Sequence, residues 1–451
     1  MNQIPRTIDV ARFIDDRPMG RLQWRILVMC FLIVLLDGWD TAAIGFVAPS
    51  IMGEWGLAKA MFGPILSAAM FGLAAGALIG GPASDRLGRK VVLVISVVAF
   101  GAFSLLSGFA HSAVELTVLR FLTGLGLGAA MPNTTTLVSE YVPARAKAFL
   151  LTLMFTGFTL GSGLGGFAAA WLIPHFGWRS VLVVGGALPL MLVPVLMAAL
   201  PESVRFLALR GGQGERIALT LSRIGGEPIS AQSTFVLAEA SVTGRDSMRS
   251  LFSSGFAAIT SRLWATYFMG LLIIYLLSGW LPTLMRDAGF SIERAAFITG
   301  IFQIGGSIGS ISIGWVMDRL DRRYVVGLSY AIGSVCVLLL GRIEMTPGMF
   351  SAVLLLCGVF LSGAQTGMNA LAPMSYPTAM RATGASWMLG IGRCGGISGS
   401  LIGGPLLAMG LSTGNLFSLL AIPAALAAAA MLGGRSRRNP VDDPVRAVPL
   451  H

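Results

Sequence analysis

Two carboxylates, Asp37 and Asp40, stand in the middle of a long apolar run, in the stretch Leu36-Asp37-Gly38-Trp39-Asp40-Thr41. An Asp at the centre of a membrane helix costs roughly 2.5–3.5 kcal/mol on insertion scales. A spacing of three puts both on one helical face, one turn apart, and both cannot face lipid. Turned toward a polar interior, such a pair can take up and release a proton as its exposure alternates; the structural alternative is a pair that hydrogen-bonds neighbouring helices. Arg393, in Gly390-Ile391-Gly392-Arg393-Cys394-Gly395-Gly396, lies halfway along another apolar run and needs an anion. A substrate carboxylate would fit its fork, and so would an Asp of the first run. The two are compatible: an anion arriving at Arg393 would free an Asp to take a proton. Arg120 opens a glycine-rich run and either serves the proton site, guides anions inward, or snorkels to the surface. Trp39 and Gln303 are candidates for ring stacking and polar contact, or for plain packing and interhelical hydrogen bonds.

The elements that must position these groups are membrane helices. The chain has 451 residues, 55% of them hydrophobic and only 12% charged, with mean hydropathy +0.78. A soluble chain would carry about 25% charged residues. Repeated apolar runs of about 20 residues indicate spanning helices, and the short alternating segments of a β-barrel are missing. The net charge of +11 sits at the ends of apolar runs, which speaks for loop topology and against nucleic acid. Cys30, Cys336, Cys357 and Cys394 have no metal-ligand spacing and read as free thiols. His111, His175 and His451 fall in loops or the tail, and neither a nucleophile–base set nor a nucleotide loop is present. The expectation is a carrier rather than an enzyme, with no metal and no cofactor beyond protons as coupling ion.

Apolar segments fall near 25–51, 59–82, 90–110, 114–138, 147–172 and 178–200, then near 262–285, 292–317, 324–342, 347–373, 382–409 and 412–434. The reading is an all-α membrane protein: an N-terminal segment 1–24, a six-helix half 25–200, a central loop 201–261, a second six-helix half 262–434 and a tail 435–451. With the N-terminus inside, the inner segments hold 25 Lys and Arg and the outer loops only 5, Lys59, Arg179, Arg286, Arg294 and Arg342. That asymmetry predicts both termini in the cytoplasm.

The halves repeat. Gly81-Pro82-Ala83-Ser84-Asp85-Arg86-Leu87-Gly88-Arg89-Lys90 returns 233 residues on as Gly314-Trp315-Val316-Met317-Asp318-Arg319-Leu320-Asp321-Arg322-Arg323. Tyr141-Val142-Pro143 with Arg145 is echoed by Tyr376-Pro377 with Arg381. A parallel six-plus-six duplication marks a facilitator-type transporter. Gly81 would permit close packing and Gly88 a tight turn, while Asp85, Arg86 and Arg89, with Asp318, Arg319 and Arg322 in the second copy, read as a gate latch rather than topology signals alone. Glu140, Arg145 and Arg381, at helix ends, read as cytoplasmic gate partners.

The G-x-x-x-D-R-x-G-R-K loop resembles the signature of the major facilitator superfamily. Asp37-Gly38-Trp39-Asp40-Thr41-Ala42 is similar to the D-G-aromatic-D-T-A sequence of its aromatic acid:proton symporter family. The resemblance spans the chain. It implies a twelve-helix fold of two halves about a pseudo-two-fold axis, and proton-coupled uptake of a monocyclic aromatic carboxylate across the bacterial inner membrane. It also implies that Asp37 and Asp40 are needed for transport, and that a monomer suffices. The rival with the same fold is an exporter of organic anions or drugs. The glycine-rich run Gly157–Gly166 resembles the fifth-helix motif of drug antiporters but lacks its proline, which weakens that rival.

Overall fold

The computed structural model describes residues 7–210, 212–230, 232–236, 251–252, 256–342, 346–376 and 378–433. Twelve long helices cross the molecule: α1 Arg21–Trp55, α2 Lys59–Leu87, α3 Arg89–Ser107, α4 Ala113–Tyr141, α5 Lys147–Phe176, α6 Arg179–Ala199, α7 Ala257–Asp287, α8 Ile292–Met317, α9 Arg322–Arg342, α10 Pro347–Met374, α11 Thr378–Ala408 and α12 Thr413–Leu432. Eleven are long and apolar enough to span a bilayer by composition. The exception is α11, where Arg393 and a run of glycines and serines dilute the hydropathy. Large apolar side chains such as Leu78, Val114 and Met191 point outward, and the polar ones gather inside. That inversion suits lipid as solvent.

Local sequence sets the helix ends. The Ser112 hydroxyl caps α4 by accepting from the Glu115 N–H at 3.2 Å, and the Glu115 carboxylate accepts from the His111 N–H at 2.9 Å. Ser291, Thr346 and Ser412 cap α8, α10 and α12 in the same manner. Gly88, at φ +100°, makes the sharp turn from α2 to α3 that a side chain would strain.

Packing within each half rests on glycines that admit a neighbouring backbone. On α2, Gly72 and Gly76 face the carbonyls of Phe121 and Leu125, while Gly124 and Gly128 of α4 face those of Ala69 and Leu73. The arrangement returns 233 residues on: Gly305 and Gly309 of α8 face the carbonyls of Leu355 and Val359 on α10. Likewise Gly161 of α5 meets Leu35 on α1, and Gly395 of α11 meets Phe268 on α7. Small residues drive such contacts because lipid offers no hydrophobic reward for burying large ones.

The halves meet at the end of the bundle away from the basic loops. There, a Cβ on Gly45 (α1) would lie 2.7 Å from the Ser278 carbonyl (α7), and one on Gly404 (α11) 2.6 Å from the Lys59 carbonyl (α2). Phe62 and Trp280 pack edge to face across the same seam, with centroids 6.3 Å apart. Lys59 and Asp287 pair across it at 2.6 Å. Thr159 (α5) and Ser307 (α8) share a hydrogen bond of 2.8 Å nearer mid-depth. These contacts close the bundle at the end away from the basic loops.

A small cap covers the basic end of the first half. Strands β1 (Thr7–Asp9) and β2 (Thr234–Val236) pair in parallel, which ties the N-terminal segment to the central loop. Short helices at Val10–Asp15, Val204–Arg210 and Gly214–Gly225 bury Val10, Ile14, Phe206, Leu221 and Ile224 against α1, α3 and α6.

Candidate functional site

Both acids come from α1, but the structure separates their roles. Asp40 turns into the first half. The Arg120 guanidinium donates to both its carboxylate oxygens, at 3.1 and 2.6 Å, and to the Asp40 backbone carbonyl at 3.1 Å. The Ser104 hydroxyl of α3 donates to the same carboxylate. Acid and guanidinium are both 0% exposed. This corrects two expectations. Arg120 does not offer its fork to a substrate anion, nor does it take the alternative of snorkelling to the surface, because about two turns into α4 its helix face looks onto α1 and Asp40 fills the guanidinium. Nor does Asp40 wait for Arg393, because its charge is already neutralised within its own half.

Asp37 is buried as deeply, at 1% exposure, yet no cation pairs with it among the described residues. The Thr41 hydroxyl donates to it at 3.2 Å. Across the seam stands Tyr275 of α7, whose ring packs on Gly396 of α11 and which lies within electrostatic reach of both Asp37 and Arg393. Arg393, halfway along α11, is half-buried and has no acidic partner among the described residues. Its neighbours are aromatic: the Tyr267 ring packs on Gly392 and the Tyr275 ring on Gly396. An ion pair between Arg393 and an acid of α1 was expected, and none forms among the described residues; Tyr275 lies within electrostatic reach of both. The result, among the described residues, is a buried acid of the first half without a cation and a half-buried guanidinium of the second half without an acid. That pairing of needs suits an anion carrying, or accompanied by, a proton.

The remaining candidates divide. Gln303 of α8 is buried and its amide nitrogen donates to the Ser278 hydroxyl at 3.1 Å, which links α8 to α7 near the seam. Trp39 does not face the seam, contrary to expectation. Its indole fills a slot left by Gly165 and Gly185, where a Cβ on Gly185 would lie 3.0 Å from Nε1. It therefore packs against α5 and α6 and is not available to stack on a substrate.

At the basic end, Arg89 is the centre of the loop motif. Its Nη2 meets Asp85 at 3.1 Å, its Nε lies 3.8 Å from Glu140, and its guanidinium covers the Phe206 ring. Glu140 accepts from the Ser203 hydroxyl, and Glu202 accepts from the Lys90 N–H at 3.1 Å. The motif thus clamps α2, α3 and α4 to the segment after α6, and Arg86 offers its carbonyl to Arg210 at 3.1 Å. Gly88 makes the turn as expected. Gly81 does not pack closely, since nothing lies within 4 Å of a Cβ there. Its neighbour Gly80, one position round the helix, meets Ala129 instead. Arg145 donates to the Arg17 carbonyl at 2.7 Å and to that of Asp15 at 3.4 Å, so it holds the cap.

The second copy of the motif is built differently. Asp318 is exposed, Arg319 stacks on Trp315 at 3.6 Å, and Arg322 reaches the Met374 sulfur at 2.9 Å. Ser375 stands before Tyr376 where Glu140 stands before Tyr141, so the acid that would recruit an arginine is missing. Arg381 lies in α11, and its side chain is outside the described residues. Sequence reasoning overlooked Ser104, Tyr267 and the packing role of Gly38. A Cβ on Gly38 would collide with the Phe158 carbonyl, and Ser162 donates to the Gly38 carbonyl at 2.8 Å. The glycine inside the acidic motif is therefore what lets α5 press against α1.

The model of the Major Facilitator Superfamily matches residues 30–398 and 263–450. The chain is 54% identical over 431 residues to a gallate transporter of Pseudomonas putida, covering 96% of each. It is 49% identical to the 4-hydroxybenzoate transporter PcaK of Pseudomonas aeruginosa, covering 94% of this chain and 95% of that one. Among solved structures, a D-xylose-proton symporter superposes with a TM-score of 0.72 at 18% identity, covering 91% of this chain and 97% of that one. At that identity the likeness speaks to the fold alone. Taken with the duplicated helix packing and the paired acids of α1, these matches make the chain a transporter, not an enzyme, and a member of the major facilitator superfamily among its aromatic acid carriers.

Proposed function

We propose that this protein takes up a monocyclic aromatic carboxylate, such as a benzoate or hydroxybenzoate, together with protons, across the bacterial inner membrane. The observation that carries the reading is the unpaired couple at the seam: Asp37 buried without a cation, and Arg393 half-buried without an acid. In this mechanism the substrate carboxylate docks on the Arg393 fork and the ring lies toward Tyr275. Asp37 holds the proton while the site is sealed and gives it up on the inner side. Asp40, already matched by Arg120, keeps α1 and α4 in register and acts on the proton site through the backbone of α1.

The basic loops mark the cytoplasmic side. The glycine-lined seam, at the opposite end, is then the closed outer gate. The two halves rock about the site as a single-chain carrier. One proton per monoanion moves no net charge, and each further proton adds about 2.3 kcal/mol per 100 mV.

The test is uptake of radiolabelled benzoates by cells, with and without a protonophore. Wild-type uptake should collapse when the proton gradient does. Asp37→Asn should retain binding and lose gradient-driven accumulation. Arg393→Lys should weaken uptake far more than it lowers protein abundance. Accumulation by Asp37→Asn that still follows the gradient would remove the proton role, and energised accumulation inside everted vesicles would reverse the direction.

A further inference from the structure

Behind Arg393 lies a polar network inside the second half. On α10, Ser362, Gln365 and Asn369 recur at helical spacing on one face. The Tyr330 hydroxyl of α9 donates to Gln365 Oε1 at 2.7 Å. The Tyr267 hydroxyl of α7 donates to Asn369 Oδ1 at 2.8 Å and lies close to Gln365 without a hydrogen bond to it. Tyr267 presses its ring on Gly392, beside Arg393, and senses the charge of Arg393. Gly270 of α7 makes room for the pair, since a Cβ there would collide with both Gln365 Oε1 and the Tyr330 hydroxyl.

One member of the network is incomplete. Gln365 is 7% exposed, its oxygen is taken, and its Nε2 makes no hydrogen bond. A buried amide donor left empty is expensive, and a polar group placed so is normally completed by water or ligand. Asn369, the next polar residue along the face, is exposed. The network therefore runs from an exposed amide on α10, through Tyr267 beside Arg393, to a free donor.

We propose that Gln365 reads the ring hydroxyl of the substrate: its amide nitrogen donates to a hydroxyl oxygen while Arg393 holds the carboxylate. The proposal rests on the transport reading above and adds the chemical feature that sets preference. Tyr330 is the positioning residue, because its hydroxyl holds the amide oxygen and so turns the nitrogen toward the substrate. A site built around a hydroxyl disfavours the analogue that lacks it, since the donor is then left empty.

The experiment is competition against labelled substrate uptake by benzoate and by 3-hydroxy-, 4-hydroxy- and 3,4,5-trihydroxybenzoate. The readout is the ratio of the inhibition constant of benzoate to that of the best hydroxylated analogue. Wild type should favour a hydroxylated ring, and Gln365→Met, of similar length without a donor, should cut that ratio about tenfold, the worth of one neutral buried hydrogen bond. Tyr330→Phe frees the amide to rotate and should cut the ratio by about threefold, and it serves as the sole readout if Gln365→Met does not reach the membrane. A wild type indifferent to ring hydroxyls, or a ratio unmoved in the variants, overturns the assignment. If no benzoate competes at all, the transport reading falls and this assignment with it.

Discussion

Replacing Asp40 by Asn should damage the protein far more than the same change at Asp37. Arg120 makes two hydrogen bonds to the Asp40 carboxylate and lies wholly out of water. With Asn in place of Asp, at most one of those contacts can be remade as an acceptor, and a full positive charge stays buried without a counter-charge. Breaking a buried pair by removing one partner costs about 3–5 kcal/mol. At about 1.4 kcal/mol per decade, that is two to three and a half decades in the folded-to-unfolded ratio. Asp37 has no such cation, so Asp37→Asn exchanges one neutralisable group for a neutral one and should leave stability almost unchanged. The assay is thermal unfolding of purified protein in detergent, followed by the recovery of monodisperse protein on gel filtration. Asp40→Asn should lose most of its recoverable protein at temperatures that Asp37→Asn survives. The double variant Asp40→Leu/Arg120→Met, which removes both charges, should regain much of the loss. If Asp40→Asn proves as stable as wild type, or if the double variant is worse than the single, the charge on Arg120 is not what Asp40 is there to balance.

Gly38→Ala places a methyl group against the Phe158 carbonyl, and because both partners are backbone, α1 and α5 must move apart. We expect little folded protein on gel filtration even though Asp37 and Asp40 are intact; normal yield with normal uptake would contradict the close contact. The Lys59–Asp287 pair is about a third exposed on each side, so it contributes at most about 1 kcal/mol to the closed outer end. Lys59→Asp should raise labelling of a cysteine placed at Ser278 by a membrane-impermeant reagent added from outside. Adding Asp287→Lys to it should bring the labelling back down, and a double variant no better than the single would argue against the pair.

The helix count, the halves and the two acids were legible because each leaves a mark in the local sequence. Apolar runs near twenty residues leave few other readings, and carboxylates within such a run declare themselves. The turn at Gly88 was legible for the same reason. What the chain could not announce is which way each group faces once the helices pack. Asp40 meets Arg120 eighty positions away, and only the contact of α1 with α4 brings them together. Trp39 looked like a ring-stacking residue until the small residues of α5 and α6 offered it a slot. Gly81 looked like a packing glycine, yet the hundred-degree step per residue turns it outward and leaves Gly80 at the contact. The parallel pairing of Ile8 with Phe235 joins segments too short and too distant for any periodicity to reveal.

The seam at the closed end is made of backbone laid against backbone at Gly45, Gly63, Gly166 and Gly404, with few interlocking side chains. Surfaces so smooth can part once a few side-chain contacts, such as Phe62 on Trp280 and Lys59 with Asp287, let go. Each fresh methyl group on that face would act as a spacer, tilting the resting balance toward the opposite posture by an amount that grows with its bulk. Alanine scanning of these four positions would therefore grade the carrier's preference for one orientation over the other, and supply a set of locked forms for study without touching the groups that handle cargo.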